Sequence, residues 1–159
     1  MDKILLTRDG YEKLKQELTL LSKVERPQVV RELLEAARDG GVEKNPDFQG
    51  TLAQRQKLER RIRQLQQILA HAEVLVGSNL PPDKVRFNSR VKVLNLDRGT
   101  EQEFRLVGGV EADASRGQLS VSSPLGRALM GRSPGERVQL KTPRGLRTYQ
   151  VLEIRQEEP

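Results

Sequence analysis

The side chains best placed to do chemistry lie in one short stretch, Asp39-Gly40-Gly41-Val42-Glu43-Lys44-Asn45-Pro46-Asp47-Phe48. Three carboxylates in so few residues suit a hard, oxygen-seeking cation such as magnesium. No other metal chemistry is open, because the 159-residue chain has no cysteine and a single histidine, His71. Disulfides, thiolate metal centres and cysteine nucleophiles are excluded, and His71 reads as a partly exposed structural residue. A second group follows at once: Arg55, Lys57, Arg60, Arg61 and Arg63 share their segment with one acid, Glu59. Such a run is either a solvated helix face or a surface that meets phosphates; Arg38 lies just before the acidic turn. The net charge of +6 fits a polyanionic partner, and equally a soluble basic protein with none.

These groups must be held by two long helices. Thr7 is suited to cap a helix, and Tyr11, Leu14, Leu18 and Leu21 follow at steps of 3, 4 and 3. Pro27 is expected to kink this helix, since it lacks a backbone donor. The apolar stripe is expected to resume at Val30, Leu33 or Leu34, and Ala37. Gly40-Gly41 then stops the helix. Asn45 as N-cap, Pro46 in the first helical position and Asp47 against the positive helix end restart it. Leu58, Ile62, Leu65, Leu69, Ala72 and Val76 then form a heptad seam. Two helices joined by so short a turn form an antiparallel coiled-coil hairpin over residues 1–77, a rod on the order of 45 Å long, with its tip at about residues 39–48.

Beyond a linker at residues 78–83 the period changes. Apolar runs at Val91–Leu94, Phe104–Val107, Leu119–Val121, Val138–Leu140 and Tyr149–Ile154 read as strands. Turns fall at Asp97-Arg98-Gly99, Gly108-Gly109, Ser133-Pro134-Gly135 and Pro143-Arg144-Gly145. Between strands, Ser123 caps and Pro124 opens one short helix running to Gly131. The whole is an α+β chain, a helical hairpin followed by a small β-rich domain at residues 84–159 with one helix. The N-terminus lacks the apolar core of a signal peptide and no run is long enough to span a bilayer, so a cytoplasmic protein with no membrane partner is expected.

The chain resembles the Gre family of bacterial transcription elongation factors along nearly its whole length. The resemblance rests on Leu6-Thr7, Gly10-Tyr11-Glu12-Lys13-Leu14, Glu17-Leu18, Glu25-Arg26-Pro27, Val91 to Asp97 and Leu106-Val107-Gly108. Glu111-Ala112-Asp113, Ser123 to Gly131 and Thr142-Pro143-Arg144-Gly145 complete it. It implies an FKBP-like second domain and binding to RNA polymerase at its secondary channel. The partners so implied are bacterial RNA polymerase and, inside that complex, the nascent RNA 3′ end. The family's docking segment corresponds to Ser122, Ser123, Pro124, Leu125 and Arg127. The basic arm of Arg38, Arg55, Lys57, Arg60 and Arg61 would face RNA phosphate.

Cleavage-competent members carry an Asp and a Glu three residues apart at the tip, which help to hold a second magnesium ion in the polymerase active site. Without a gap, those positions are Gly41 and Lys44 here, while Asn45 and Phe48 keep the pattern, Phe standing for Tyr. Gly41 has no ligand atom, and Lys44 sets a positive charge where a dication belongs. The expectation is therefore a monomeric, non-enzymatic regulator that does not stimulate transcript cleavage efficiently. It needs no cofactor and holds no metal by itself, with magnesium only inside the polymerase complex. Three other readings stand beside it. Glu43 and Asp47 could replace the missing pair and support cleavage. The FKBP-like fold also suggests a peptidyl-prolyl isomerase, although Phe87, Phe104 and Tyr149 are its only aromatics. A coiled-coil protein that binds DNA directly would explain the basic arm but not the second domain.

Overall fold

The computed structural model describes residues 3–38, 46–75 and 81–156. Contacts divide the chain into two compact units, one of residues 11–72 and one of residues 2–10 with 73–159. The first is the helical hairpin. Helix α1 spans Arg8–Leu20 and α2 spans Arg26–Arg38, joined without a break by a wide π turn over Leu21–Glu25. Helix α3 runs over Pro46–Ala70, about 37 Å at 1.5 Å per residue.

The expected kink at Pro27 is instead this π turn, and the reason is local. Proline at position 27 cannot donate to the carbonyl of Lys23 and its ring would strike it. The turn that contains Lys23 widens, and the Arg26 N–H reaches back to the Leu21 carbonyl. The widening also adds one residue to the stripe. A regular helix continuing Leu14, Leu18 and Leu21 would bring Glu25, Gln28 and Glu32 inward. The π turn places Val29 there instead, 4% exposed, with Leu33 half-buried. The inward residue is thus Val29 rather than Val30, and Leu34 is 57% exposed. Val29 packs with Leu58 and Ile62, flanked by Leu18 and Leu21.

On α3 the buried positions are Leu58, Ile62, Leu65 and Ile68. The expected seam therefore changes at its end, from Leu69 to Ile68. Ala72 has left the helix for a short strand, β2, at Ala72–Val74, and Val76 lies outside the described residues. β2 pairs with β1 at Ile4–Leu6. Three-residue strands that need each other are not visible as periodicity in either segment alone.

The second unit is a five-stranded sheet in the order β5-β4-β3-β7-β6. The strands are β3 Ser89–Asn95, β4 Thr100–Val107, β5 Gln118–Ser120, β6 Arg137–Thr142 and β7 Gly145–Gln156. Pairing is antiparallel except between β4 and β5. Every strand expected from the apolar runs is present. On β3 the alternation of Val91 and Val93 with Arg90 and Lys92 sends the valines inward at 0% exposure. They pack with Leu106, Leu129, Val138, Tyr149 and Val151. Tyr149 belongs to this core, and Phe104 packs against it. The fold is α+β, as expected, and no described helix is long and apolar enough to cross a membrane.

Candidate functional site

The short helix α4, Pro124–Leu129, is placed by its ends. Ser123 has an extended backbone and its Oγ accepts from the Gly126 N–H at 3.0 Å. That hydroxyl also donates to the Ser120 carbonyl at 2.6 Å, tying the cap to β5. Gly126 is buried, and a Cβ there would overlap the Ser120 carbonyl oxygen, so the helix lies on β5 only because residue 126 lacks one. Leu125 and Leu129 turn toward the sheet core. The five expected docking residues therefore divide. Ser122, Pro124 and Arg127 are exposed and available to a partner, whereas Ser123 and Leu125 are half-buried and hold the helix in place.

The basic arm also divides. Arg61 donates from Nε and Nη2 to both carboxylate oxygens of Glu17 on α1, at 2.6 and 2.8 Å, and from Nη1 to Gln64. Glu59 is held in the same two-pronged way by Arg26, at 2.8 Å for each bond. The paired guanidinium lowers the pKa of each carboxyl, Arg61 for Glu17 and Arg26 for Glu59, and Glu17 raises that of Arg61. These bridges fix the register of the hairpin, since bidentate pairs demand a set geometry. Charge balance within α3 alone does not show these pairs, because α1 supplies the acid for Arg61 and α2 supplies the base for Glu59. Arg38, Arg55, Lys57 and Arg60 have no ion-pair partner within 4 Å among the described residues, and Arg55, Arg60 and Arg63 line a shallow groove with Leu52, Gln56 and Glu59, whose carboxylate Arg55 and Arg63 help to hold ionised.

Of the tip residues, Gly41, Glu43, Lys44 and Asn45 lie outside the described residues. Asp47 lies in the first turn of α3, and Phe48 beside it is the next residue of that turn. Among the described residues no three or more histidines, aspartates or glutamates gather as a metal would require. His71 is half-buried beyond the end of α3, and its Nδ1 donates to the Gln67 carbonyl at 2.9 Å.

A polar cluster joins residues 7–10 to the sheet unit. The Thr7 N–H and hydroxyl both donate to the Glu111 carboxylate, at 2.8 and 2.5 Å, while the same hydroxyl accepts from the Gly10 N–H as the α1 cap. A Cβ at Gly10 would overlap that carboxylate, and one at Gly108 would overlap the Leu5 carbonyl. Beside them Arg105, only 9% exposed, makes two bonds to Asp9 at 3.1 and 2.8 Å and one to the Asn88 side chain at 2.7 Å. Several motif residues, Thr7, Gly10, Gly108 and Glu111, thus serve to seat residues 4–10 on the sheet unit. The only hint in the sequence was that residues so far apart belong to one recurring set.

The Arg105 guanidinium holds the Asp9 carboxyl well below the usual carboxylate range. Because the folded pKa is depressed, this stabilisation is fully present above the unfolded value of about 3.9 and is lost progressively as pH falls from there through the lower folded value. Asp9→Asn is expected to lower the melting midpoint at neutral pH by about 2–4 °C, from about 1 kcal/mol once Asp9's exposure is allowed for. The difference from the parent should begin to shrink below about pH 4 and disappear only once the pH is below the depressed folded value. Melting curves across that range check it, and a difference independent of pH would remove the ion pair from the explanation.

Known proteins resemble the chain over nearly its whole length. A family model for "Transcription elongation factor, N-terminal" matches residues 4–74, and one for "Transcription elongation factor, GreA/GreB, C-term" matches residues 80–156. Transcription elongation factor GreA of Thermodesulfovibrio yellowstonii is 39% identical over 153 residues, 96% of this chain and 97% of that one. The protein of the same name from Helicobacter hepaticus is 41% identical over 149 residues, 94% of this chain and 91% of that one. Among solved structures, GreA factor homolog 1 of Thermus thermophilus is 25% identical, with a TM-score of 0.44 over 96% of this chain and 99% of that one.

Proposed function

The chain belongs to the GreA/GreB family of transcription elongation factors, and from that membership we propose that it enters the secondary channel of bacterial RNA polymerase without efficiently stimulating transcript cleavage. The observation that carries this reading is at the tip: Gly41 and Lys44 stand at the positions where the resemblance places the paired acids of cleavage-competent members. The donor set does not fit magnesium. Glycine offers no oxygen from a side chain. An ammonium group about 4 Å from a unit charge costs roughly 1 kcal/mol in bulk water and about 4 kcal/mol at an effective dielectric near 20, and a dication doubles this.

The delivery apparatus is retained. Ser122, Pro124 and Arg127 form an exposed patch on a rigidly capped helix, suited to docking at the channel rim. The hairpin keeps its interhelical bridges, and Arg38, Arg55, Lys57 and Arg60 remain free to meet phosphate. A protein that occupies the channel and supplies no metal ligand acts by occupancy, displacing active Gre factors or altering pausing. As an isomerase the sheet unit is poorly provided, with Tyr149 and Phe104 used in its core.

The test is RNA shortening in backtracked elongation complexes, with a cleavage-active Gre factor titrated against this protein. The expected result is no added shortening by this protein and loss of the active factor's effect as its concentration rises. Efficient shortening by the protein itself would show that Glu43 and Asp47 replace the missing pair. Failure to compete would overturn channel binding.

A further inference from the structure

The β6–β7 hairpin carries charge in a way the rest of the sheet does not. On the outer face of β3, β4 and β7 cations are matched: Arg155 lies 2.6 Å and Arg90 3.8 Å from Glu103, and Lys92 lies 3.9 Å from Glu101. Around α4 and the turns, Arg132 pairs with Glu136 and Arg116 with Asp113. From Arg137 to Leu152, by contrast, the sequence has four cations, Arg137, Lys141, Arg144 and Arg147, and no acid. None of these cations has an acidic partner among the described residues.

This charge sits on a projecting ribbon. β3 pairs with β7 only from Tyr149 onward, whereas β6 continues to pair with β7 through Lys141↔Leu146 and Thr142↔Gly145. The last residues are therefore two strands wide. The turn is braced, since the Thr142 hydroxyl donates to the Gly145 carbonyl at 2.7 Å and accepts from the Arg144 N–H at 3.3 Å. Gly145 has φ +115°, a conformation open to glycine and strained in other residues. Strand alternation then sends Lys141 and the exposed Leu146 to one face and Arg147 to the other, with Arg144 at the turn.

We infer that this ribbon, through Lys141, Arg144 and Arg147, binds the phosphate backbone of duplex DNA. A ligand that meets all three cations at once, Lys141 on one face, the half-buried Arg147 on the other and Arg144 at the end, must present anions on more than one side of the ribbon. The two walls of a groove meet that need, and an acidic protein face does not. A major groove about 12 Å wide admits a two-stranded β-ribbon. The tip, Lys141-Thr142-Pro143-Arg144-Gly145-Leu146-Arg147-Thr148, has no aromatic residue, so it offers no stacking platform for unpaired bases. Charges on an edge strand also discourage sheet-to-sheet pairing, a role open to Lys141 on β6 and to Arg147 on the stretch of β7 that β3 does not reach, but Arg144 lies at the turn and on neither strand. This site is separate from the channel reading, and its test uses no polymerase.

The experiment is fluorescence anisotropy of the full chain with a labelled mixed-sequence duplex of about 20 base pairs, from about 50 to 200 mM salt. Lys141→Gln/Arg144→Gln/Arg147→Gln is compared with the parent and with Arg55→Gln/Lys57→Gln/Arg60→Gln. Removing three phosphate contacts should reduce the slope of log affinity against log salt by about 2.7, so that the ribbon variant loses roughly 40-fold less affinity over that range. At the lowest salt it should bind at least about 10-fold more weakly than the parent. If the triple variant melts early, Arg144→Gln alone decides, with a slope change of about 0.9. No binding by the parent, unchanged binding by the ribbon variant, loss confined to the arm variant, or equal affinity for a single strand of the same length would each overturn the assignment.

Discussion

Gly41→Asp combined with Lys44→Glu is expected to turn this protein into a stimulator of transcript cleavage, raising the rate of RNA shortening in backtracked complexes at least about tenfold over the parent. Both changes act on one quantity, the stability of a second magnesium ion in the polymerase active site. Aspartate at 41 adds a ligand where there is none. Glutamate at 44 adds another and removes a charge that repels the ion. A metal that stabilises the attacking and leaving oxygens is worth several kcal/mol, and each 1.36 kcal/mol is a factor of about ten in rate. The single changes should each give much less, because one leaves Lys44 in place and the other supplies half a site. Pro46 opens α3 and limits how the preceding turn can run, so the pair is best built with and without Pro46→Ala. The activity should require magnesium. If every variant still binds polymerase and none gains cleavage, the missing acids are not what separates this tip from an active one.

Pro124→Arg is expected to have the second largest effect, weakening binding to RNA polymerase by roughly 100-fold or more. A long charged side chain at the desolvated centre of an interface costs several kcal/mol when it finds no partner. Pro124 is exposed at the first position of α4, so the fold should tolerate the change and the melting midpoint should stay within about a degree or two. Gly126→Ala is the useful contrast. Its methyl group would meet the Ser120 carbonyl, displacing the helix from β5 and lowering stability and binding together, with overpacking of this kind costing about 1–3 kcal/mol. Titration of each variant against core polymerase separates the two cases. Undiminished binding by Pro124→Arg would move the docking surface off α4.

Much of the fold was legible because the signals were local. The strands of the sheet unit appear as short apolar runs bounded by glycine and proline, and β3 alternates so regularly that its inward valines can be read directly. The start of α4 was equally plain, since serine followed by proline satisfies the needs of a helix N-terminus without help from elsewhere. The helices of the hairpin could be read in type and order, but their inward faces could not be read throughout. Once Pro27 forces a widened turn, the phase of everything after it depends on how that turn relaxes, and Val29 replaces Val30. At the end of α3 the helical pattern in Ala72 was real but weak, and pairing with β1 overrode it.

The same distinction runs through the candidate site. By itself the sequence determined that positions 41 and 44 carry glycine and lysine, that the chain has no cysteine, and that a basic segment follows the tip. These are statements about which atoms exist, and no folding can alter them. Only the tertiary structure decided which of those charges are free. Arg61 and Arg55 are alike in sequence, yet the facing Glu17 binds one and leaves the other without an ion pair among the described residues. Ser123 and Pro124 are neighbours, yet one is spent on Gly126 and Ser120 while the other faces outward. Arg105 and Asp9 are distant in the chain and meet only because residues 4–10 fold back onto the sheet unit. A charge is available for function only when no other residue has neutralised it, and that depends on distances between segments far apart in sequence.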